Sequence, residues 1–162
     1  MRPPIRSLAN VIRKPPASKA TSAETLSRFA TRVQRALGLA GEVNIGITSN
    51  REMQALNRRF RKRNKPTDVL SFPSTTPGVA GDIAISLEIA ADNAAELGHS
   101  LAAEVKILIL HGMLHLAGYD HEIDDGEMHE HETELRRKLK LPVGLIERTR
   151  VSPVGNRREE SP

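Results

Sequence analysis

Three histidines in the last third of the chain are spaced so that they could bind one metal ion. His111 and His115 are four residues apart, and at 3.6 residues per turn they lie about 40° apart on one face of a helix. Gly118 can adopt a positive φ at no steric cost, so the chain can turn back and bring His121 to the same ion. Because the sequence contains no cysteine, thiolate ligands are excluded. The spacing therefore predicts a metal site formed by His111, His115 and His121.

Three neutral imidazoles leave a fourth coordination position open, which is typical of catalytic rather than structural zinc sites. A water molecule in that position has its pKa lowered to about 7, so that hydroxide becomes available at neutral pH. The ligand set thus predicts one Zn²⁺ per chain and a hydrolytic reaction. Ni, Co and Cu also accept three imidazoles and water, and the sequence leaves the choice of metal open.

The spacing H-x-x-x-H-x-x-G-x-x-H also matches the signature of metzincin peptidases, with one difference. Those enzymes carry a glutamate directly after the first histidine, where it acts as general base. Gly112 occupies that position here. The difference favours a metal-dependent hydrolase of another substrate, and a peptidase whose base comes from elsewhere, for example Glu122, remains an alternative.

The segment around the third histidine is strongly acidic. Residues 120–134 contain eight Asp and Glu and no Lys or Arg. Carboxylates often orient metal-ligating imidazoles by accepting a hydrogen bond from the second ring nitrogen. Four acids are candidates for this role: Asp120, Glu122, Asp124 and Asp125. For each of them taken singly, simple solvation is the favoured interpretation. His129 and His131 lie among glutamates of the last predicted helix, and we expect both to face solvent.

A basic segment lies in the middle of the chain. Residues 51–65 contain seven Lys and Arg against one Glu. A block this dense could attract a polyanion such as nucleic acid. A solvated helix end and loop is the alternative interpretation, and charge runs are more often of that kind.

The hydrophobic pattern predicts an α+β domain with a small mixed β-sheet of about four strands packed with helices. The predicted strands cover 5–12, 43–47, 68–72 and 81–86. Five helices are predicted. The first begins after a capping box at Thr21–Glu24 and ends at Leu37, and the second begins at Ser49 or Asn50 and ends at Phe60. The other three cover 87–97, 101–117 and 125–139. The helix over 101–117 is apolar nearly throughout, which indicates burial on most sides, and it carries the histidines as the metal helix of zincins does.

The length of 162 residues is that of one domain, predicted at 5–145 between an N-terminal tail (1–4) and a flexible C-terminal tail (146–162). No apolar run approaches the roughly 18 residues that span a bilayer. No apolar region typical of a signal peptide lies near the start. We therefore expect a cytoplasmic protein that does not contact membranes.

Two ordered motifs make the chain resemble the YbeY family of endoribonucleases, the rRNA maturation factors. The motifs are HGMLHLAGYDH at 111–121 and KPTDVLSFP at 65–73, with Gly-Asp-Ile at 81–83. The resemblance covers about residues 5–145 and implies one zinc ion on the three histidines. It also implies single-strand-specific RNA cleavage that matures the 3′ end of 16S rRNA, and a role in quality control of the 70S ribosome.

The same resemblance places the family's functional arginine on Arg61 and implies catalytic roles for Arg61 and the metal ligand His115. The residues expected to contact the RNA backbone are Arg59, Arg61, Lys62, Arg63 and Lys65. The expected partners are single-stranded ribosomal RNA, the small subunit or 70S ribosome, and ribosomal or assembly proteins. A ribosome-assembly factor that binds RNA without cleaving it is the second alternative.

Overall fold

A computed structural model describes residues 12–13 and 19–142 of the chain. The two predicted tails, 1–4 and 146–162, lie outside the described residues, as does most of the predicted strand over 5–12. The described residues fall within the predicted domain boundaries of 5–145.

The described elements alternate between short strands and helices. The strands are β1 (Ile12–Arg13), β2 (Glu42–Thr48), β3 (Val69–Pro73) and β4 (Val79–Ser86). The helices are α1 (Ala23–Leu37), α2 (Asn50–Arg61), α3 (Leu87–Leu97), α4 (Leu101–Leu116) and α5 (Glu127–Lys138), with a 3₁₀ turn at Lys19–Thr21. The predicted elements that lie within the described residues are confirmed in type, and most of their boundaries shift by one or two residues.

The sheet is mixed, as predicted, in the order β1-β2-β4-β3. Its body consists of β2, β4 and β3, and the two-residue β1 pairs with the outer edge of β2. The pairs β1–β2 and β2–β4 are parallel, whereas β3 runs antiparallel to β4. The antiparallel strand forms the edge that faces the functional site described below.

Helices cover both faces of the sheet, because the strands present apolar side chains on alternate sides. On one face, Ile45 and Ile83 belong to the main core cluster with side chains of α1, α4 and α5. On the other face, Leu70 and Phe72 pack with Met53 and Leu56 of α2. The fold is therefore an α+β arrangement in which β3 lies between α2 on one face and α4 on the other.

A serine caps the N-terminus of each of the first four helices. The hydroxyl oxygens of Ser22, Ser49, Ser86 and Ser100 accept a hydrogen bond from the backbone N–H three residues later. The predicted capping box at Thr21–Glu24 is wrong by one residue. Thr21 is buried at the end of the 3₁₀ turn, and Ser22 accepts from the Thr25 N–H instead.

The helix α4 is the centre of the domain. Its buried positions run from Glu104 to Leu116 with two interruptions, and they include Leu108, Leu110 and Leu114, each at most 1% exposed. Among the described residues no single helix is long and apolar enough to span a membrane. Helices α3 and α4 have the length and hydrophobicity of a span only when taken together, and a 115° bend separates them. Burial on nearly all sides fixes the rotation of α4, and therefore the direction in which its histidines point.

Removing the Ser100 cap should loosen the start of this central helix. Ser100 Oγ accepts from the Ala103 N–H at 3.1 Å, and the loss of such a cap costs about 1 kcal/mol. We expect Ser100→Ala to lower the free energy of unfolding by about that amount in urea denaturation of the metal-free protein, and Ser100→Asp to retain most of it. Equal losses in the two variants would show that the cap is not the cause.

Candidate metal centre

The last turns of α4 carry the first two histidines. His111 is buried and His115 is half-buried, and their ring centroids lie 4.8 Å apart. Most neighbouring positions of α4 are buried in the core, and both rings line a cavity beside the helix. The predicted placement of His111 and His115 on one face is confirmed.

The chain turns back directly after α4 and returns the third histidine. Gly118 has a φ of 99°, which an L side chain rarely adopts. The N–H groups of Gly118 and Tyr119 donate to the carbonyls of His115 and Leu114 at 3.0 and 3.1 Å and close the helix end. The ring centroid of His121 then lies 5.6 Å from that of His111 and 5.8 Å from that of His115.

Hydrogen bonds on Nδ1 fix the tautomers of the two helical histidines. His111 Nδ1 lies 2.8 Å from Glu132 Oε2, and His115 Nδ1 lies 3.0 Å from the Tyr119 carbonyl oxygen. A carboxylate and a carbonyl can only accept a hydrogen bond, so Nδ1 must carry the proton in both rings. In the neutral imidazole this leaves the lone pair on Nε2.

The two Nε2 atoms lie only 3.2 Å apart. Two lone pairs at this distance have no proton to share and repel each other, whereas a cation between them would turn the repulsion into coordination. Two nitrogens bound to one tetrahedral zinc at 2.0–2.1 Å are separated by about 3.3–3.4 Å. One ligand atom from each of His111, His115 and His121 lies within 4.8 Å of the other two. The donor set therefore fits a metal ion held by these three residues.

The protonation equilibrium of His115 favours the same arrangement. Burial of the imidazole is the main cause that lowers the pKa of His115 below its usual range, and His111 beside it lowers the pKa further. The hydrogen bond to the Tyr119 carbonyl opposes this shift. Since the net direction is downward, His115 is neutral at pH 7 and its Nε2 lone pair is available to a metal.

The residue that orients His111 differs from those predicted. None of the four candidate acids has a described hydrogen bond to a ligand imidazole. Asp120 Oδ1 accepts from the Glu122 N–H, and Asp124 accepts from the N–H groups at the start of α5. These two acids shape the turn that carries His121 and the entry into α5.

Glu132 performs the orienting role and was not predicted. It is 1% exposed on the face of α5 that also buries Met128 and Leu135. The spacing of these three residues by four and three is helical, so an acid in the apolar stripe of an otherwise polar helix was the available signal.

The prediction that His129 and His131 face solvent is also wrong. Both are half-buried. The Nε2 atom of His131 lies 3.1 Å from the Tyr119 hydroxyl, and the two rings are 4.7 Å apart. This contact ties α5 to the turn whose Tyr119 carbonyl holds His115.

A cavity of about 800 Å³ brings the histidines together with part of the basic segment. Of the predicted RNA-contacting residues, Arg61, Arg63 and Lys65 line it together with all three histidines. Arg59 and Lys62 do not line it, and the Arg59 guanidinium lies over the Phe60 ring at 5.3 Å. The cavity therefore brings three histidines that could hold a metal ion next to the side chains of Arg61, Arg63 and Lys65, which we call the cationic wall.

Arg61 has a defined position in this wall although it is the last residue of α2. Its Nη2 donates to the Ser71 carbonyl oxygen at 2.7 Å, and its guanidinium carbon lies 5.6 Å from the centroid of the Phe72 ring. Phe72 itself packs edge-to-face against Phe60. The guanidinium thus rests on β3 and keeps its remaining donors for a ligand in the cavity.

Gly112 does not line the cavity but packs against the sheet. A Cβ atom at this position would lie 3.0 Å from side-chain carbons of Ile83 and 3.1 Å from Ser71 Oγ. A glutamate, which metzincins carry here, would place its Cβ tightly against these side chains. The position therefore faces β3 and β4 and not the cavity.

Removing the charge of Glu132 should weaken metal binding without removing a ligand. Loss of a partner that orients a ligand typically costs 10–100-fold in affinity, and we expect Glu132→Gln to lower zinc affinity by about that factor in competition with a chromophoric chelator. Glu130→Gln, an exposed acid on the same helix, is the control. Unchanged affinity in Glu132→Gln would contradict the orienting role.

Comparisons with known proteins agree on one family. The family model described as Endoribonuclease YbeY matches residues 9–140. A protein named Endoribonuclease YbeY from Koribacter versatilis is 60% identical over 128 residues, which cover 79% of this chain and 84% of that protein. The protein of the same name from Solibacter usitatus is 50% identical over 123 residues, covering 76% and 83% of the two chains.

A solved structure supports the same fold. The solution structure of a Thermotoga maritima protein matches with a TM-score of 0.56 and 33% identity, covering 77% of this chain and 84% of that one. The chain therefore belongs to the endoribonuclease YbeY family.

Proposed function

We propose that this protein is a zinc-dependent endoribonuclease that cleaves single-stranded RNA. The observation that carries the proposal is the shared cavity, in which two converging Nε2 lone pairs lie together with Arg61. Membership of a family whose curated members are named endoribonucleases supports RNA as the substrate.

Different residues of the cavity have different roles in the proposed phosphodiester hydrolysis. A zinc ion, when bound, would polarise a phosphoryl oxygen and supply a water of lowered pKa. His111, His115 and His121 would hold the ion, and the tautomers of His111 and His115 are set by the contacts described above. Arg61 binds the phosphate through two of its planar donors and stabilises the negative charge that builds up in the transition state.

The cationic wall provides affinity for the backbone on either side of the cut. Arg63 and Lys65 line the cavity next to Arg61, and Arg59 and Lys62 extend the positive charge along the outer surface. Contacts of this kind bind phosphates without reading the bases. Base selection must therefore come from elsewhere, which fits a substrate presented by a ribosomal particle.

The biological substrate that we propose is the 3′ end of immature 16S rRNA, on the small subunit or the 70S ribosome, with a role in ribosome quality control. Ribosomal or assembly proteins would then present the RNA to the cavity. This function places the protein in the cytoplasm, where ribosomes are assembled. Peptide hydrolysis with the metzincin base is disfavoured because that position packs against the sheet at Gly112.

Two substitutions test the function and separate it from RNA binding without cleavage. We expect His115→Ala to lose zinc and cleavage together. We expect Arg61→Glu to retain zinc but to lower cleavage of a single-stranded 16S 3′-end fragment by about 100-fold or more, since removal of one donor to a developing charge costs that much. Arg58→Glu, an exposed cation that does not line the cavity, is the control with the same charge change.

The outcomes are distinct. Zinc content is measured by elemental analysis and cleavage by gel assay, each with and without chelator. Cleavage by the metal-free protein at the wild-type rate would contradict the metal mechanism. Zinc-loaded protein that binds the fragment and never cuts it would favour the assembly factor.

A further inference from the structure

Ser71 lies between the arginine and the metal-bearing helix, and the mechanism above gives its side chain no role. It is 7% exposed, in the middle of β3, and it lines the cavity. Its backbone carbonyl oxygen accepts from Arg61 Nη2 at 2.7 Å. Its hydroxyl donates to the Gly112 carbonyl oxygen at 3.1 Å. One residue therefore contacts both the cation and the helix that carries His111.

The contact between β3 and α4 is unusually close at this point. The absence of a side chain at Gly112 allows Ser71 Oγ and the Ile83 side chain to approach the helix backbone, since a Cβ there would lie 3.0–3.1 Å from them. Gly112 directly follows the ligand His111. A shift of β3 along or away from α4 would therefore move Arg61 relative to the first imidazole.

The hydroxyl of Ser71 is not needed to satisfy a buried backbone group. A carbonyl inside an α-helix already accepts the N–H of the residue four positions later, and its oxygen has a second lone pair for Ser71. Removing the hydroxyl therefore leaves no carbonyl without a partner. Its main effect is to remove a hydrogen bond that holds β3 at a fixed position along α4.

We infer that Ser71 is a positioning residue that fixes the spacing between the Arg61 guanidinium and the metal-binding imidazoles. The inference rests on the proposed function, because the spacing matters only if arginine and metal act on one phosphate. Charge stabilisation in a transition state requires donors that are already in place, and a misplacement of about 1 Å can cost 100-fold.

The test begins with Ser71→Ala in the zinc-loaded protein. We expect kcat for the single-stranded fragment to fall about tenfold, with KM within about twofold, because the lost alignment affects the transition state more than ground-state binding. Zinc affinity should stay unchanged, and the melting temperature should fall by no more than about 4 °C.

A double-mutant cycle separates positioning from a general loss of structure. In an Arg61→Ala background, measured by single-turnover cleavage, Ser71→Ala should have no further effect, since the residue that it positions is gone. An equal tenfold loss in both backgrounds would overturn the inference. Ser22→Ala is the matched control. The hydroxyl of Ser22 caps α1, and no residue of α1 lines the cavity, so stability should fall while the Arg61-dependent part of kcat is retained.

A structural readout keeps the test independent of activity. We expect the ¹⁵N-detected Nε–Hε signal of Arg61 to shift in Ser71→Ala and to stay in place in Ser22→Ala. Gly112→Ala, which pushes on Ser71 from the helix side, should shift the same signal and provides a second variant if Ser71→Ala does not fold. An unmoved Arg61 signal in the folded variants would overturn the positioning role. Absence of RNA cleavage by the wild type would contradict only the proposed function.

Discussion

The site depends on two hydrogen bonds that commit the Nδ1 atoms of His111 and His115 to acceptor oxygens. Glu132 and the Tyr119 carbonyl accept hydrogen bonds from the Nδ1–H groups of the two rings, so both Nε2 lone pairs converge at 3.2 Å. Without a cation this contact is repulsive, and burial makes protonation of His115 costly. Coordination of a metal is the state that satisfies all of these groups together, and the surrounding structure holds them in register for it.

Three parts of the fold deliver this arrangement. The burial of α4 fixes the direction of two imidazoles, the positive φ at Gly118 returns the third, and α5 supplies Glu132 from within an apolar stripe. The edge strand β3 then brings a cation to the same cavity, because Arg61 at the end of α2 donates to its backbone. The histidines on α4 and the arginine at the end of α2 come from opposite faces of the sheet. The distance between them therefore depends on how closely β3 contacts α4 at Gly112.

Local patterns in the sequence were sufficient to predict the three histidines, the types of the elements and a mixed sheet. Each of these rests on spacing within one segment, such as the four residues between His111 and His115. The orienting acid lies in the acidic segment 120–134 but was not among the four candidates, because Glu132 reaches His111 only through the packing of α5 on α4. The prediction that His131 faces solvent was wrong because its contact with Tyr119 also depends on how α5 packs beside the turn after α4. The bond from Arg61 to Ser71 likewise depends on how α2 lies across the sheet, which no local pattern encodes.

The central claim is that three imidazoles bind one cation and leave one position to water. X-ray absorption spectroscopy of the protein, purified with its native metal, tests this most directly. We predict zinc at about one ion per chain with three imidazole nitrogens at about 2.0–2.1 Å and one further light ligand. A protein without stoichiometric metal, or a metal with fewer than three imidazole ligands, would contradict the account.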